Sequence, residues 1–111
     1  MKFNLLILFI SFSLSCFAQI KPEANTFTVD CTTYYINRCY SHGGNMVKRS
    51  YKNKKDFLKL HNLTHTPKGY EIDHIIPLSQ GGTDCPDNMQ LLTVEQHRRK
   101  TSKERKSTKT N

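Results

Sequence analysis

A run of polar side chains inside an apolar, strand-like segment is the part of this sequence best suited to chemistry. Asp73 and His74 lie side by side in the segment 71–77, Asn88 follows His74 by 14 positions, and His97 follows Asn88 by nine. A histidine can take a proton from water near neutral pH, and a divalent cation can neutralise a phosphoryl group and its departing oxygen. Asp73 and His74 are therefore residue types that could act on a phosphodiester.

The order and spacing of these residues, with Ile75-Ile76-Pro77 and Gly81-Gly82 between them, resemble the HNH motif of the HNH endonucleases. These enzymes are also called ββα-metal or His-Me finger nucleases. The resemblance implies an α+β fold with a core of strand, loop, strand and helix. It also implies a role for each motif residue: His74 as the general base, Asn88 as the catalytic-site residue that ties down the loop and orients the base, Asp73 and His97 as the metal ligands, and Glu71 as a support for the metal site.

The resemblance also bears on the metal. Colicin-type DNases have a further histidine four residues after the last one, and Thr101 stands there in this chain. The expected site then has two protein ligands, one oxygen and one nitrogen, which favours Mg²⁺ or Mn²⁺. Zn²⁺ and Ni²⁺ stay open as alternatives.

The elements around the motif follow from composition and periodicity. Residues 46–61 predict a basic helix, residues 70–76 and 89–92 two strands, and residues 94–106 a helix whose Thr93 and Gln96 form a capping box. Residues 19–45 predict an irregular arm with one short strand near 33–36, and residues 107–111 a frayed basic tail. We therefore expect an HNH domain at 46–106. The wider resemblance, to small exported bacterial HNH proteins, covers about residues 46–104.

Residues 1–18 have the pattern of a secretory signal peptide, with a positive start, an apolar run and a small residue at position 18. A membrane anchor and a lipoprotein modified at Cys16 are the weaker alternatives. Cleavage would leave residues 19–111, which we expect to be a secreted or periplasmic monomer without membrane contact.

The net charge of +8 predicts a polyanionic partner. Basic residues cluster on both sides of the motif, and the ones expected to hold nucleic acid are Arg49, Arg98, Arg99, Lys100 and Lys103. Phosphate contacts of this kind are blind to sequence, and the resemblance implies minor-groove contact, where readout is degenerate. DNA is expected more than RNA, with low sequence specificity.

Three cysteines follow the signal segment, so one disulfide at most can form within the chain. A bond between Cys31 and Cys39 is expected because short loops close easily, and Cys85 would be left over.

Together these features predict an exported, metal-dependent endonuclease, and the resemblance implies that its products carry 5′ phosphates. Two alternatives stay open: a binding module that keeps the HNH scaffold without cutting, and a secreted nuclease toxin or effector.

Overall fold

The computed structural model describes residues 25–110, so the predicted signal segment 1–18 lies outside the described residues. In chain order the elements are β1 (Thr26–Val29), β2 (Thr32–Cys39), β3 (Asn45–Lys48), α1 (Tyr51–Leu60), β4 (Tyr70–His74), β5 (Met89–Thr93) and α2 (Val94–Lys109). Two short 3₁₀ turns, Leu78–Gln80 and Pro86–Asn88, shape the loop between β4 and β5. The prediction of an α+β fold is confirmed.

The unit β4–β5–α2 has the predicted order of strand, loop, strand and helix. β4 and β5 pair antiparallel without a register shift, from Tyr70 opposite Thr93 to His74 opposite Met89. α2 follows β5 directly because Thr93 caps it: its hydroxyl accepts from the Gln96 amide, and the Gln96 side chain accepts from the Thr93 amide. The predicted capping box is confirmed.

The hydrophobic core lies between α1 and this two-stranded sheet. Phe57, Leu58 and Met89 are its buried residues, and Ile72 and Leu91 pack against them from the strands. Phe57 is only 1% exposed, and full burial of such a side chain stabilises the fold by about 1.5–3 kcal/mol. The core therefore fixes α1 against the strands that present the polar motif.

The segment 19–45 is not the irregular arm that the sequence predicted, as far as it is described. β1, β2 and β3 form an antiparallel sheet in that order, and β2 is eight residues long rather than the short strand expected near 33–36. The threonines and tyrosines of β2 favour extended backbone. The predicted domain boundary between residues 45 and 46 falls inside β3.

The predicted helix over 46–61 begins later than expected. Residues 45–48 pair with β2 as β3, and α1 starts at Tyr51 because the Ser50 side chain accepts a hydrogen bond from the Asn53 amide. Serine is a favoured helix cap for this reason. The signal was present in the sequence, but the preceding apolar and basic residues continued the helical pattern across it.

α2 is longer than predicted and includes part of the expected tail. It runs to Lys109, so Ser107 and Thr108 are helical. Both hydroxyls bond back to the Glu104 carbonyl inside the same helix. Among residues 25–110, no helix combines the length and apolar character that a membrane crossing needs.

The predicted disulfide between Cys31 and Cys39 is wrong. Cys31 is bonded to Cys85 with a Cα–Cα distance of 5.3 Å, while Cys39 is exposed and free. The reason is β2: eight extended residues span roughly 25 Å, far beyond the 7 Å that a disulfide tolerates. Closeness in sequence is a poor guide when a strand separates two cysteines. The observed bond joins the N-terminal sheet to the loop between β4 and β5.

Candidate active site

The pleat of β4 separates the motif residues onto two faces of the strand. Alternate residues of a strand share a face, so Glu71 and Asp73 lie together and both reach His97 on α2. His74 belongs to the other face and contacts the loop instead. All of Asp73, His74 and His97 nevertheless line one cleft, because His74 ends the strand. No bulge in β4 is needed to bring them together.

His97 lies between two carboxylates. Its Nδ1 is 2.5 Å from Glu71 Oε2, and its Nε2 is 3.5 Å from Asp73 Oδ1. If the Nδ1–H group donates a hydrogen bond to Glu71, the Nε2 lone pair faces the Asp73 carboxylate oxygen, and two acceptors converge. Either a second proton on His97 or a cation between the two atoms satisfies this pair.

This arrangement fits a divalent metal. Two ligands of one cation with bonds of about 2.1 Å lie roughly 3–3.5 Å apart, close to the separation of Asp73 Oδ1 and His97 Nε2. A carboxylate behind a metal-binding histidine also fixes which ring nitrogen is free, and Glu71 is placed to do so. Across residues 25–110 no group of three or more His, Cys, Asp or Glu side chains is arranged to hold a metal, so water and substrate would complete the shell.

Lys100 forms an ion pair with Oδ2, the second carboxylate oxygen of Asp73. Its Nζ is 3.0 Å from Asp73 Oδ2 and 2.9 Å from the His74 carbonyl oxygen, and it also contacts Glu104. Burial lowers the pKa of Lys100, but hydrogen bonds and charge from Glu104 and Asp73 outweigh it, so the pKa is raised above its ordinary value. The Gln90 amide bonds the same oxygen at 3.0 Å. Asp73 is thus held rigidly, with Oδ1 left toward His97.

His74 is oriented by Asp84, a residue that the sequence does not single out. Its Nε2 is 2.9 Å from Oδ1 of Asp84, whose side chain is 2% exposed. An ionised carboxylate only accepts hydrogen bonds, so this contact assigns the proton to Nε2 and leaves Nδ1 with the free lone pair. A general base needs such a lone pair.

Asp84 is fixed in turn by contacts from two parts of the fold. Its Oδ2 accepts from the Ser50 amide at 2.6 Å and from Asn53 Nδ2 at 3.3 Å, which belong to the start of α1. Its own amide donates to the Thr32 hydroxyl of β2 at 3.0 Å. In the sequence, Asp84 was only one of several polar residues in a loop, and nothing local distinguished it from Asp87.

Asn88 holds the loop rather than reaching into the cleft. Its Nδ2 donates to the carbonyls of Thr83 and Ile76, and its Oδ1 accepts from the Ile76 amide at 3.0 Å. These three backbone bonds engage both ends of the amide side chain. The loop also needs Gly82, where a Cβ atom would lie 1.9 Å from the Ile76 carbonyl oxygen. Asn88 therefore holds the backbone of the loop that follows His74, and it does not line the cleft.

The predicted nucleic-acid contacts do not share one surface. Arg98 is exposed and lines the face of α2 next to His97, with Arg105 and Lys109. Lys103 lies on a different face, as does Arg99, which pairs with Glu95. Lys100 turns inward as described above. Arg49, by contrast, lines the cleft that contains Asp73, His74 and His97.

The decisive comparison is with protein families. Residues 54–103 match the sequence model of the family described as HNH endonuclease. Residues 54–103 are an HNH endonuclease domain. The matched segment of this HNH domain contains Asp73, His74, Asn88 and His97. No curated protein and no solved structure matches the chain.

Membership in this family supports nuclease chemistry on a nucleic-acid substrate. The HNH domain contains all of β4, β5 and the loop between them, but it includes only part of α1. Ser50, Asn53 and Thr32, which hold Asp84, precede the matched segment. The site geometry therefore extends beyond the segment that defines the family.

Proposed function

We propose that this protein is an exported, metal-dependent endonuclease that hydrolyses phosphodiester bonds of nucleic acid with low sequence specificity. The observation that supports the proposal best is the convergence of Asp73 Oδ1 and His97 Nε2 to within 3.5 Å, in a cleft that His74 also lines. DNA is the proposed substrate, and Mg²⁺ or Mn²⁺ the proposed metal. Export is proposed from the signal-like segment 1–18.

In this mechanism His74 takes a proton from the attacking water at Nδ1. Asp84 stabilises the imidazolium that forms, because its carboxylate already accepts from Nε2 at 2.9 Å. Asp73 and His97 would hold the metal, which when bound neutralises charge on the phosphoryl group and the leaving oxygen. Glu71 keeps the His97 ring oriented for that role.

Two cationic side chains, Arg49 and Lys100, line the same cleft, and they have different roles. Arg49 lines the same cleft, and its guanidinium suits bidentate contact with phosphate oxygens. Lys100 is engaged with Asp73 and Glu104, so its contribution is to fix Asp73 rather than to grip the substrate backbone. None of these groups reads base identity, which supports the proposal of low specificity.

The proposal is tested by incubating residues 19–111 with supercoiled plasmid and Mg²⁺ or Mn²⁺. We expect nicking that EDTA abolishes and that His74→Ala reduces at least about 100-fold, since general base catalysis contributes about 10²–10⁴. His65→Ala is the matched control, because His65 is an exposed histidine outside the cleft. The nicks should carry 5′ phosphates.

Nicking that persists equally in EDTA or in His74→Ala would refute the mechanism. Retarded migration of DNA in a gel without any cutting would favour a non-catalytic binding module instead. The family match alone is compatible with that alternative, since it reports the fold and motif rather than turnover.

A further inference from the structure

A second cleft lies on the other side of His74 from the metal-binding pair. Its volume is about 460 Å³, and His74 and Asp84 line it together with Tyr51, Tyr70 and Lys54. Asp73 and His97 are not among its lining residues. The catalytic histidine therefore stands between two clefts, of which the proposed mechanism uses only one.

The two tyrosines of this cleft are unusually exposed for aromatic side chains. Tyr51 is 73% exposed and Tyr70 is 46% exposed, although each opens an element that contributes to the core, α1 through Phe57 and β4 through Ile72. Exposed aromatic rings gain most by stacking on a flat partner. Lys55 lies 5.7 Å from the centroid of the Tyr51 ring, which places positive charge beside it.

The cleft offers two cationic side chains to an anionic ligand. Arg49 and Lys54 line it, while its two acidic residues are already engaged: Asp84 by His74 and Ser50, and Glu71 by His97. Cationic side chains interleaved with exposed aromatic rings are the features that bind single-stranded nucleic acid. A base within a duplex is paired and stacked on both sides, so it cannot stack on a protein ring.

The position of the cleft relates this ligand to the reaction. Arg49 and His74 line both clefts, so a phosphate beside His74 would have its neighbouring nucleotide at the tyrosines. We propose that the cleft binds an unpaired nucleobase next to the cleaved phosphate, and that the preferred substrate is single-stranded or locally unpaired nucleic acid. This inference rests on the proposed function for the location of the phosphate.

The test measures binding without cleavage. A fluorescently labelled 12-nucleotide single strand and a duplex of the same sequence are titrated with residues 19–111 in EDTA, and anisotropy gives each Kd. We expect tighter binding to the single strand, which Tyr51→Ala and Tyr70→Ala each weaken about 10-fold, because each variant removes one ring on which a base stacks. Tyr51→Phe and Tyr70→Phe should bind as the unmodified protein does.

Leu60→Ala is the matched control, since Leu60 is 72% exposed at the opposite end of α1. Equal affinity for strand and duplex, or alanine variants that bind the single strand unchanged, would overturn the inference. Plasmid nicking, measured separately with Mg²⁺, keeps the two proposals distinct. Nicking with unaffected strand binding in the tyrosine variants refutes the cleft alone, and tyrosine-dependent binding without nicking refutes the nuclease alone.

Discussion

At the scale of single residues, the site depends on which atom of each side chain is already engaged. His74 has Nε2 committed to Asp84, and His97 has Nδ1 committed to Glu71. The two histidines thus engage opposite ring nitrogens, which leaves Nδ1 of His74 for the proposed base role and Nε2 of His97 for the proposed metal-ligand role. Residue types at motif positions do not reveal this choice, because each histidine has two tautomers and its neighbours decide between them.

Asp84→Asn should abolish most activity without unfolding the protein. An amide cannot accept at both oxygen positions, so it turns its NH₂ group toward either Ser50 or His74. Facing His74, the NH₂ group needs Nε2 as an acceptor, which moves the ring proton to Nδ1 and removes the catalytic lone pair. We expect about a 100-fold loss in plasmid nicking, with ¹⁵N NMR of the His74 ring reporting the change of tautomer.

Asp87→Asn provides the control for Asp84→Asn, since it makes the same change at an exposed aspartate of the same loop. It should leave both nicking and the His74 spectrum unaltered. Full activity in Asp84→Asn, or a loss without any change in the ring spectrum, would show that Asp84 does not act through His74.

Lys100 allows a prediction about pH. A raised pKa in the folded state means that the ammonium stabilises the fold fully below the unfolded value of about 10.4 and loses this effect as pH rises through the folded value. In EDTA, Lys100→Met should lower the free energy of unfolding by about 2 kcal/mol at pH 7. Urea titrations should show this difference constant to about pH 9 and shrinking above roughly pH 10.4.

Lys103→Met, at an exposed neighbour on the same helix, should change stability little at any pH. A Lys100→Met difference that is absent at pH 7, or that persists unchanged at pH 11, would contradict the role given to the Asp73–Lys100–Glu104 contacts.

At the scale of elements, the sequence predicts those helices and strands whose signals lie in neighbouring residues. The capping box at Thr93 and the strand-favouring composition of β4 and β5 depend on neighbouring residues, and all three were predicted, although β4 ends at His74 rather than at residue 76. The N-terminal sheet was missed because its stability comes from pairing between strands rather than from any one segment. The predicted start of helix α1, residue 46, is too early. Ser50 marks the start of α1 only because its side chain caps the next turn, which the pattern of residue types does not show.

The residues of the candidate site show the same difference between local and long-range signals. Asp73, His74 and His97 are recognisable in the sequence because they have the order and spacing of the HNH motif. Asp84 was not, because its importance comes from Ser50, Asn53 and Thr32, which are distant in sequence and meet it only in the fold. The sequence predicts that Lys100 contacts the substrate, because the sequence alone does not show which groups a basic side chain pairs with. In the fold its partners are Asp73 and Glu104.

At the scale of the whole molecule, one disulfide joins the N-terminal sheet to the loop that carries Asp84. Cys31 and Cys85 are separated by 54 residues, and a bond closing a loop of that size stabilises a protein by about 4 kcal/mol in the chain-entropy model. Replacing both cysteines with serine should lower the free energy of unfolding by that order and reduce nicking. Urea denaturation and plasmid nicking measure the two effects.

Cys39→Ser is the control for the disulfide, because Cys39 is exposed and unbonded among residues 25–110. It should match the unmodified protein in both assays. If instead Cys39→Ser caused the loss and the double serine variant did not, the pairing of Cys31 with Cys85 would be wrong.

The support of Asp84 also has a consequence for genetics. Thr32, Ser50 and Asn53 touch no nucleic acid in the proposed mechanism, and all three precede the matched HNH segment. Yet each donates or accepts a hydrogen bond that keeps Asp84 in place. Substitutions at Thr32 and Asn53, whose side chains make two of these bonds, should therefore reduce activity as substitutions in the motif do, and a mutational screen confined to the matched segment would miss them.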